Sequence, residues 1–331
     1  MSQLVKFYQT GTFTVGNRLL APEQRTVQAS IERSNSLNSG HRACQGCGEA
    51  LAARYVLDTA VDATGGKLVT VNATGCLEVF STPYPESSWQ IPWLHSLFAN
   101  AASVASGVVA ALRATGRPDV RVLAQGGDGG TVDIGFACLS GMFERNDDVL
   151  YVCYDNGGYM NTGVQRSGAT PPAARTATTE AVGTEPGNQF GVGKDAARIA
   201  MAHDIPYVAT ATVAELHDLE TKVRTAMSIR GARYLHVLVP CPLGWGTGTA
   251  ETVKLARLAQ RSALFPVYEA RHGTVSSVLP IRDRVPVEEY LRPQKRFAHM
   301  FAGDGRPEVI AQLQEIADRN VARYGLLSEE Q

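Results

Sequence analysis

Two glycine runs, each ending an apolar and β-branched stretch, constrain this chain more than any other feature. "VRVLAQGGDG" (120–129) closes on the first, "VLYVCYDNGG" (149–158) closes on the second, and "TVDIGFACLSGMFERN" (131–146) lies between them. A short, continuously apolar run reads as a strand covered on both faces. A helix-length segment between two such runs reads as the crossover of a parallel βαβ unit. The same alternation extends from about residue 46 to 245. "KLVTVNATG" (67–75), "YVATAT" (207–212) and "YLHVLVP" (234–240) read as strands. The segment from Trp93 to Arg113, "KDAARIAMAHD" (194–204) and "VAELHDLETKVRTAMSIRG" (213–231) read as helices. The expected fold class is α/β, with a mostly parallel sheet and helices on both faces.

Between the second glycine run and residue 193 the chain is rich in Gly, Thr and Pro, lacks apolar periodicity and is too long for an ordinary connection. Loops of that length inside a domain are usually functional or disordered. After residue 246 the pattern changes to one helix near 250–263, irregular proline-bearing stretches and an amphipathic helix at about 306–324. Three parts are expected: an N-terminal extension (1–40), a main domain (41–246) and a C-terminal appendage (247–331).

Composition removes several function classes. With 19% charged residues and a net charge of -1 there is no basic face on which to build nucleic-acid binding. The opening "MSQLVKFYQTGTFTVGNRLL" has no charged segment followed by an apolar run, and nowhere do 18 apolar residues follow one another, so a cytoplasmic chain without a membrane span is expected. Six cysteines in such a chain do not read as a disulfide framework.

The glycine runs carry the first chemistry. Gly126, Gly127, Gly129 and Gly130 close a strand and open a helix, where unhindered amides and the positive helix end can face an anion such as a diphosphate. Asp128, in their midst, would repel that anion unless a hard divalent cation bridged the two, and Mg²⁺ is the natural candidate. The end of the next parallel strand lies beside the first, so Asn156 could supply a second oxygen to Mg²⁺ and the Gly158 carbonyl a third. Taken alone, "GDGG" could be no more than a tight turn.

The cysteines carry the second. Cys44 and Cys47 form a CxxC that opens a helix, while Cys76 in "ATGC" and Cys241 in "VPCP" each follow a strand end. Four thiolates suit Zn²⁺ or a [4Fe-4S] cluster, and spacing does not choose between them. Cys44 and Cys47 alone would also suit a redox dithiol. Cys138 and Cys153 read as small core residues.

"GDGGTVDIG" with "DNGGYMNTG" resembles the diphosphate and Mg²⁺ motif of thiamine diphosphate enzymes, in their 2-oxoacid:ferredoxin oxidoreductase branch. The resemblance runs from "GHRACQGCGEALAARYV" through "NATGCLEVFSTPYPESSWQIPWLHSLFANAASVASG" to "PCPLGWG", about residues 40–246, and is to the β subunits that act on pyruvate. It implies the thiamine diphosphate-binding fold, with Gly127, Asp128, Gly129 and Gly130 as the diphosphate loop. Asn156, Gly157, Gly158, Tyr159, Met160 and Asn161 would form the second half of the cofactor site. It further implies that Cys44, Cys47, Cys76 and Cys241 hold one [4Fe-4S] cluster and that Glu49 and Cys76 lie against the cofactor. Asn161 would lie nearest the reacting carbon, which makes Asn161 and Glu49 the candidate catalytic residues.

A cluster beside thiamine makes chemical sense, because electrons left as carbon dioxide departs can be taken up singly, without NAD. No Gly-x-Gly-x-x-Gly follows a first strand to offer a nicotinamide site. The resemblance also implies partners. An α subunit would supply the glutamate that promotes ylid formation, and γ and ferredoxin-like δ subunits would pass electrons to external ferredoxin, with pyruvate and coenzyme A as substrates. Branched-chain 2-oxo acids, 2-oxoglutarate or oxalate are alternative substrates, and a zinc-stabilised, non-catalytic scaffold is the alternative of another class. Gly130 departs from relatives that carry a bulky aromatic there. His41, His95 and His203 read as structural, and Trp89, Trp93 and Trp245 as core or interface anchors.

Overall fold

A computed structural model describes residues 35–83 and 86–327. Most of the expected N-terminal extension, residues 1–34, therefore lies outside the described residues. The strands are β1 (Leu68–Ala73), β2 (Trp93–Ser96), β3 (Arg121–Gly127), β4 (Val149–Asp155), β5 (Tyr207–Thr212), β6 (Arg233–Leu238), β7 (Tyr268–Arg271) and β8 (Thr274–Val278). They form one eight-stranded sheet in the order β2-β1-β3-β4-β6-β5-β7-β8. All pairings from β2 to β5 are parallel, and β7 and β8 are antiparallel additions.

The continuous apolar runs do what a two-sided sheet requires. Along β4, Val149, Tyr151 and Cys153 enter one core while Leu150, Val152 and Tyr154 enter the other. Helices α1 (Gly48–Ala63), α2 (Cys76–Ser81) and α6 (Leu216–Ser228) cover the second face through Val56, Leu57, Leu77, Leu219 and Val223. Helices α3 (Ala101–Ala114), α4 (Phe136–Glu144) and α5 (Ala196–Ala202) cover the first through Ala105, Val109, Leu139, Met142 and Ala200. The Ala-rich sequence of α3 packs closely against β1 and β3.

Two segments differ from the sequence expectation. The helix expected from Trp93 begins only at Ala101, because Trp93–Ser96 pairs with β1 in the register Thr70↔Trp93 to Ala73↔Ser96. Pairing at a sheet edge overrides a local pattern that ran without a break into the Ala-rich helix. The C-terminal segment is also more than helix and irregular chain. After the short α7 (Pro242–Trp245) and α8 (Thr252–Arg261), its β7 and β8 extend the main sheet beyond β5. Helix α9 (Val287–Leu291), a 3₁₀ turn (Lys295–Met300) and α10 (Pro307–Tyr324) then return over the first face, where Tyr290, Phe297 and Leu313 join its core.

Candidate functional site at the C-terminal strand ends

The four neighbouring strands β1, β3, β4 and β6 release the chain at the same edge of the sheet, and the residue types singled out above follow directly: Cys76, Asp128, Asn156 and Cys241. Parallel pairing of β3 with β4, ending at Gly127↔Tyr154, sets Asp128 beside Asn156. Asp128 is 1% exposed. Burial, and then the charge of Asp155, push its carboxyl well above the usual carboxylate range, with the Ser167 hydroxyl and the Asn156 main chain working against them.

The side-chain oxygen of Asn156 faces the Gly158 carbonyl oxygen at 2.9 Å and Asp128 Oδ1 at 3.1 Å. Three acceptors cannot meet at that spacing without something positive among them. A half-turn of the amide would put its NH₂ there instead, donating to both oxygens, and a cation would serve with the amide as it stands.

The long loop after β4 braces this crevice. Ser167 Oγ donates to Asp128 Oδ2, Thr170 Oγ1 donates to the Gly157 carbonyl at 2.8 Å, and the Gly157 N–H donates to Asp155 Oδ1 at 2.8 Å. Asp155 Oδ2 meets His236 Nε2 at 2.9 Å, and His236 Nδ1 meets the Tyr234 hydroxyl at 2.8 Å. Tyr159 donates from its hydroxyl to Asp133 at 3.1 Å and lays its ring over Gly129, where a Cβ would come within 2.5 Å of the ring. Glycine at 129 is therefore required by a close approach. At Gly130, the space that a side chain would seek is bounded by the Phe98 carbonyl and ring, and Phe98 stacks on Tyr159 at 5.9 Å. Asn161 stands exposed in the tight turn closed by the bonds of Tyr159 to Val164 and Gln165.

Glu49 follows the CxxC in the first turn of α1 and is 3% exposed. Burial pushes its carboxyl up to about 8, while hydrogen bonds from the Leu77 main chain and the Asn156 side chain pull it down. It thus lies between the cysteine segment and the acidic loop. The Cys47 side chain caps α1 by accepting from the Ala50 N–H at 3.4 Å, and Cys241 caps α7 in the same way from the Gly244 N–H at 3.3 Å.

The turn holding Cys44 and Cys47 is fixed by close approaches. A Cβ on Gly46 would fall 2.0 Å from the Thr249 carbonyl, and one on Gly48 2.7 Å from that of Pro240. Burial and then Glu49 push the Cys47 thiol up to about 12 and raise Cys76 as well, and the other cysteines add to the rise at Cys76. Cys241 is raised by burial first. Among the described residues, no group of three or more His, Cys, Asp or Glu side chains is arranged to hold a metal ion. Cys44, Cys47 and Cys241 are nevertheless near enough to Cys76 to disfavour its ionisation.

Sequence reasoning did not anticipate the supporting residues Phe98, Asp133, Ser167, Thr170 and His236. Trp245 is the buried core anchor expected, and its indole N–H also donates to the Asn156 carbonyl at 2.6 Å. His41, His95 and His203 engage the Ala43 N–H, the Thr74 hydroxyl and the Ser140 hydroxyl, as structural histidines do. A cavity of about 330 Å³ opens beneath the acidic loop, lined by Asp155, Gly157, His236, Trp245, Tyr290 and Arg296 among others. None of the four clustered cysteines, Asp128 or Asn156 lines it.

Residues 73–237 match the family described as "Thiamine pyrophosphate enzyme, C-terminal TPP binding domain". The chain is 49% identical over 291 residues to the pyruvate synthase subunit PorB of Methanosarcina barkeri, covering 88% of this chain and 97% of that one. It is 45% identical to PorB of Methanocaldococcus jannaschii, covering 91% and 100%. It is 37% identical to the ketoisovalerate oxidoreductase subunit VorB of Pyrococcus horikoshii, covering 86% and 92%. Among solved structures, a 2-oxoglutarate:ferredoxin oxidoreductase from Magnetococcus marinus shares the fold, with a TM-score of 0.53 and 24% identity over 66% of this chain and 69% of that one. An acidic crevice and four thiols at one edge of such a sheet, with relatives this similar over nearly their whole length, place the chain in a family: it belongs to the 2-oxoacid:ferredoxin oxidoreductases, multi-subunit enzymes, in the branch of the pyruvate synthase PorB subunits.

Proposed function

We propose that this chain is the β subunit of a pyruvate:ferredoxin oxidoreductase, which converts pyruvate, coenzyme A and oxidised ferredoxin reversibly to acetyl-CoA, carbon dioxide and reduced ferredoxin. The observation that carries this reading is the convergence, at the ends of β3 and β4, of buried Asp128, the Gly158 carbonyl and the Asn156 side-chain amide, which comes within 2.9 Å of the Gly158 oxygen and 3.1 Å of Asp128 Oδ1. A carboxylate, a side-chain amide and a main-chain carbonyl are the hard oxygen donors that Mg²⁺ takes, so the residues of this crevice fit that ion. Asp128, Asn156 and the Gly158 carbonyl would hold Mg²⁺, and the amides around Gly127, Gly129 and Gly130 would receive the diphosphate. Bound there, thiamine diphosphate supplies the carbon nucleophile and electron sink for decarboxylating a 2-oxo acid.

The chain's own residues have distinct tasks. Ser167 and Trp245 orient Asp128 and the Asn156 main chain. Glu49, kept protonated to about pH 8 by its burial, holds a proton beside Asn156 and Leu77 and adds no second anion to the crevice at neutral pH. Tyr159 and Met160 hold the turn that presents Asn161 towards the substrate. Cys44, Cys47, Cys76 and Cys241, from three separated segments, suit a [4Fe-4S] cluster, whose binding requires the loss of their thiol protons.

The names of the most similar relatives favour pyruvate. VorB, at 37% identity, supports branched-chain 2-oxo acids as the second reading. An α subunit would complete the thiamine site, and γ and δ subunits would carry electrons to ferredoxin in the cytoplasm. The division at 246/247 is read as functional: the main domain holds the cofactors and residues 247–331 contact partner subunits.

The test uses the whole complex purified without oxygen. It is expected to bind thiamine diphosphate only with Mg²⁺, to lose about four irons per β chain on Cys76→Ala, and to reduce a viologen dye fastest with pyruvate and coenzyme A. A complex whose β chain holds zinc and binds no thiamine diphosphate would sink the proposal. A preference for 3-methyl-2-oxobutanoate would select the second reading.

A further inference from the structure

The acidic loop from Asp155 to Gly158 is backed by a cavity where a solid core would otherwise support it, and two residues outside the loop bridge the gap. The first is Trp245, fully buried in α7, four residues after Cys241. Its indole N–H donates to the Asn156 carbonyl at 2.6 Å, and its main-chain N–H donates to the Cys241 carbonyl at 2.9 Å. The second is Arg296, from the C-terminal segment and 5% exposed. Its guanidinium carbon lies 3.9 Å over the Trp245 ring, closing the face of the indole.

Arg296 is itself locked in place. Nε donates to Gln294 Oε1 at 2.8 Å, Nη2 donates to the Tyr290 hydroxyl at 3.3 Å, and its carbonyl accepts from the Arg175 N–H at 2.9 Å. Its remaining group, Nη1, is buried without a hydrogen-bond partner and faces Gly157, where a Cβ would come within 2.9 Å of it. Gly157 has φ +77, so the loop needs glycine there both for its turn and for the approach of Arg296.

We infer that Trp245 and Arg296 are positioning residues for the metal loop. They touch no oxygen of the Asp128 crevice, yet they fix the main chain from which Asn156 and Gly158 present theirs. They also tie that main chain to the segment bearing Cys241, so one indole links the two sites at this sheet edge. Partners one step removed from a metal ion typically alter its affinity by about 10–100-fold when they are lost. The effect here falls on the Mg²⁺ requirement of thiamine binding and leaves the number of sites unchanged.

This inference rests on the proposed Mg²⁺ and thiamine site. The experiment titrates Mg²⁺ into the dialysed, anaerobic complex and follows thiamine diphosphate binding by calorimetry, for the native protein, Trp245→Phe and the milder Arg296→Lys. Both variants are expected to need about 10-fold more Mg²⁺ for half-saturation, to reach native thiamine content at saturating Mg²⁺, and to keep native iron content. Native half-saturation in either variant would overturn the inference. So would a thiamine capacity that falls at every Mg²⁺ concentration in parallel with iron, which would make both residues general props. A native complex that binds no thiamine diphosphate with Mg²⁺ would instead overturn the proposed function.

Discussion

At the start of β3, β4 and β6, Asp148 lies among three guanidinium groups: Arg121 at 3.4 Å, Arg230 at 2.8 Å and the fully buried Arg233. At the far end of the same strands lie Asp128, Asp155 and Glu49, and among the described residues the basic side chain hydrogen-bonded to them is His236, on Asp155. Both ends bury acids, but the first sets three guanidinium groups on a single carboxylate, whereas at the second His236 and Arg296 act on Asp155 and leave the Asp128 and Glu49 carboxyls raised. Burial raises Asp148, yet Arg233, Arg230 and Arg121 outweigh it and hold the carboxyl below its usual range. Asp128 and Glu49 are held above theirs. A fold that needs only stability balances its buried charge internally, and carboxyls held above their usual range at one end mark that end as the candidate functional one.

The largest expected effect tests the balanced end. Asp148→Ala leaves Arg233 buried without its carboxylate, and the folded chain should lose about 3–5 kcal/mol in chemical denaturation while the fraction that stays folded binds thiamine diphosphate normally. Loss of cofactor binding from a folded Asp148→Ala protein would show that the two ends are coupled.

Next in size is Asp128→Ala at the unbalanced end. Mg²⁺-dependent thiamine diphosphate binding should fall by at least about 100-fold, whereas the metal-free protein should melt no lower than the native one, because a desolvated carboxyl has been removed. A clear drop in melting temperature would mean that Asp128 is already satisfied without a cation.

The smallest effect is a pH slope. The Glu49 carboxyl sits at about 8 in the folded chain, above its ordinary value near 4.5, so the folded state keeps a proton that the unfolded state gives up between those pH values. Stability should therefore fall as pH rises from about 5 to about 8, by about 1 kcal/mol per pH unit, and Glu49→Gln should remove that part of the slope. Parallel curves for the two proteins would place Glu49 in a more solvated setting than its burial indicates.

The βαβ core was legible because its strands are continuous apolar runs with glycine at their ends, a pattern that depends only on neighbours in sequence. Asp128, Asn156, Cys76 and Cys241 carry a local sign because each follows a strand end, and Cys44 and Cys47 because a CxxC opens a helix. Trp93–Ser96 was not legible, because only its pairing with β1 distinguishes it from the start of a helix. The β7–β8 hairpin did carry a local sign, His272-Gly273, both with positive φ, between β-branched and aromatic residues. Ser167, His236 and Arg296 carried none. Each is an isolated polar residue whose partner lies 39, 81 or 51 positions away: Asp128, Asp155 and Trp245. Nothing in its own neighbourhood marks it.

The strand order also has a consequence for how the chain assembles. Strand β5 precedes β6 in the sequence but lies outside it, between β6 and β7, so it joins the parallel part of the sheet only through β6. Docking β6 also delivers Cys241 and Trp245, which follow it directly. The β4–β6 pairing joins segments far apart in sequence, and it also brings Cys241 and Trp245 to the edge that holds Asp128 and Asn156. Cys44, Cys47, Cys76, Asp128 and Asn156 all come earlier in the chain, so the edge that gathers them with Cys241 is complete only once β6 has docked.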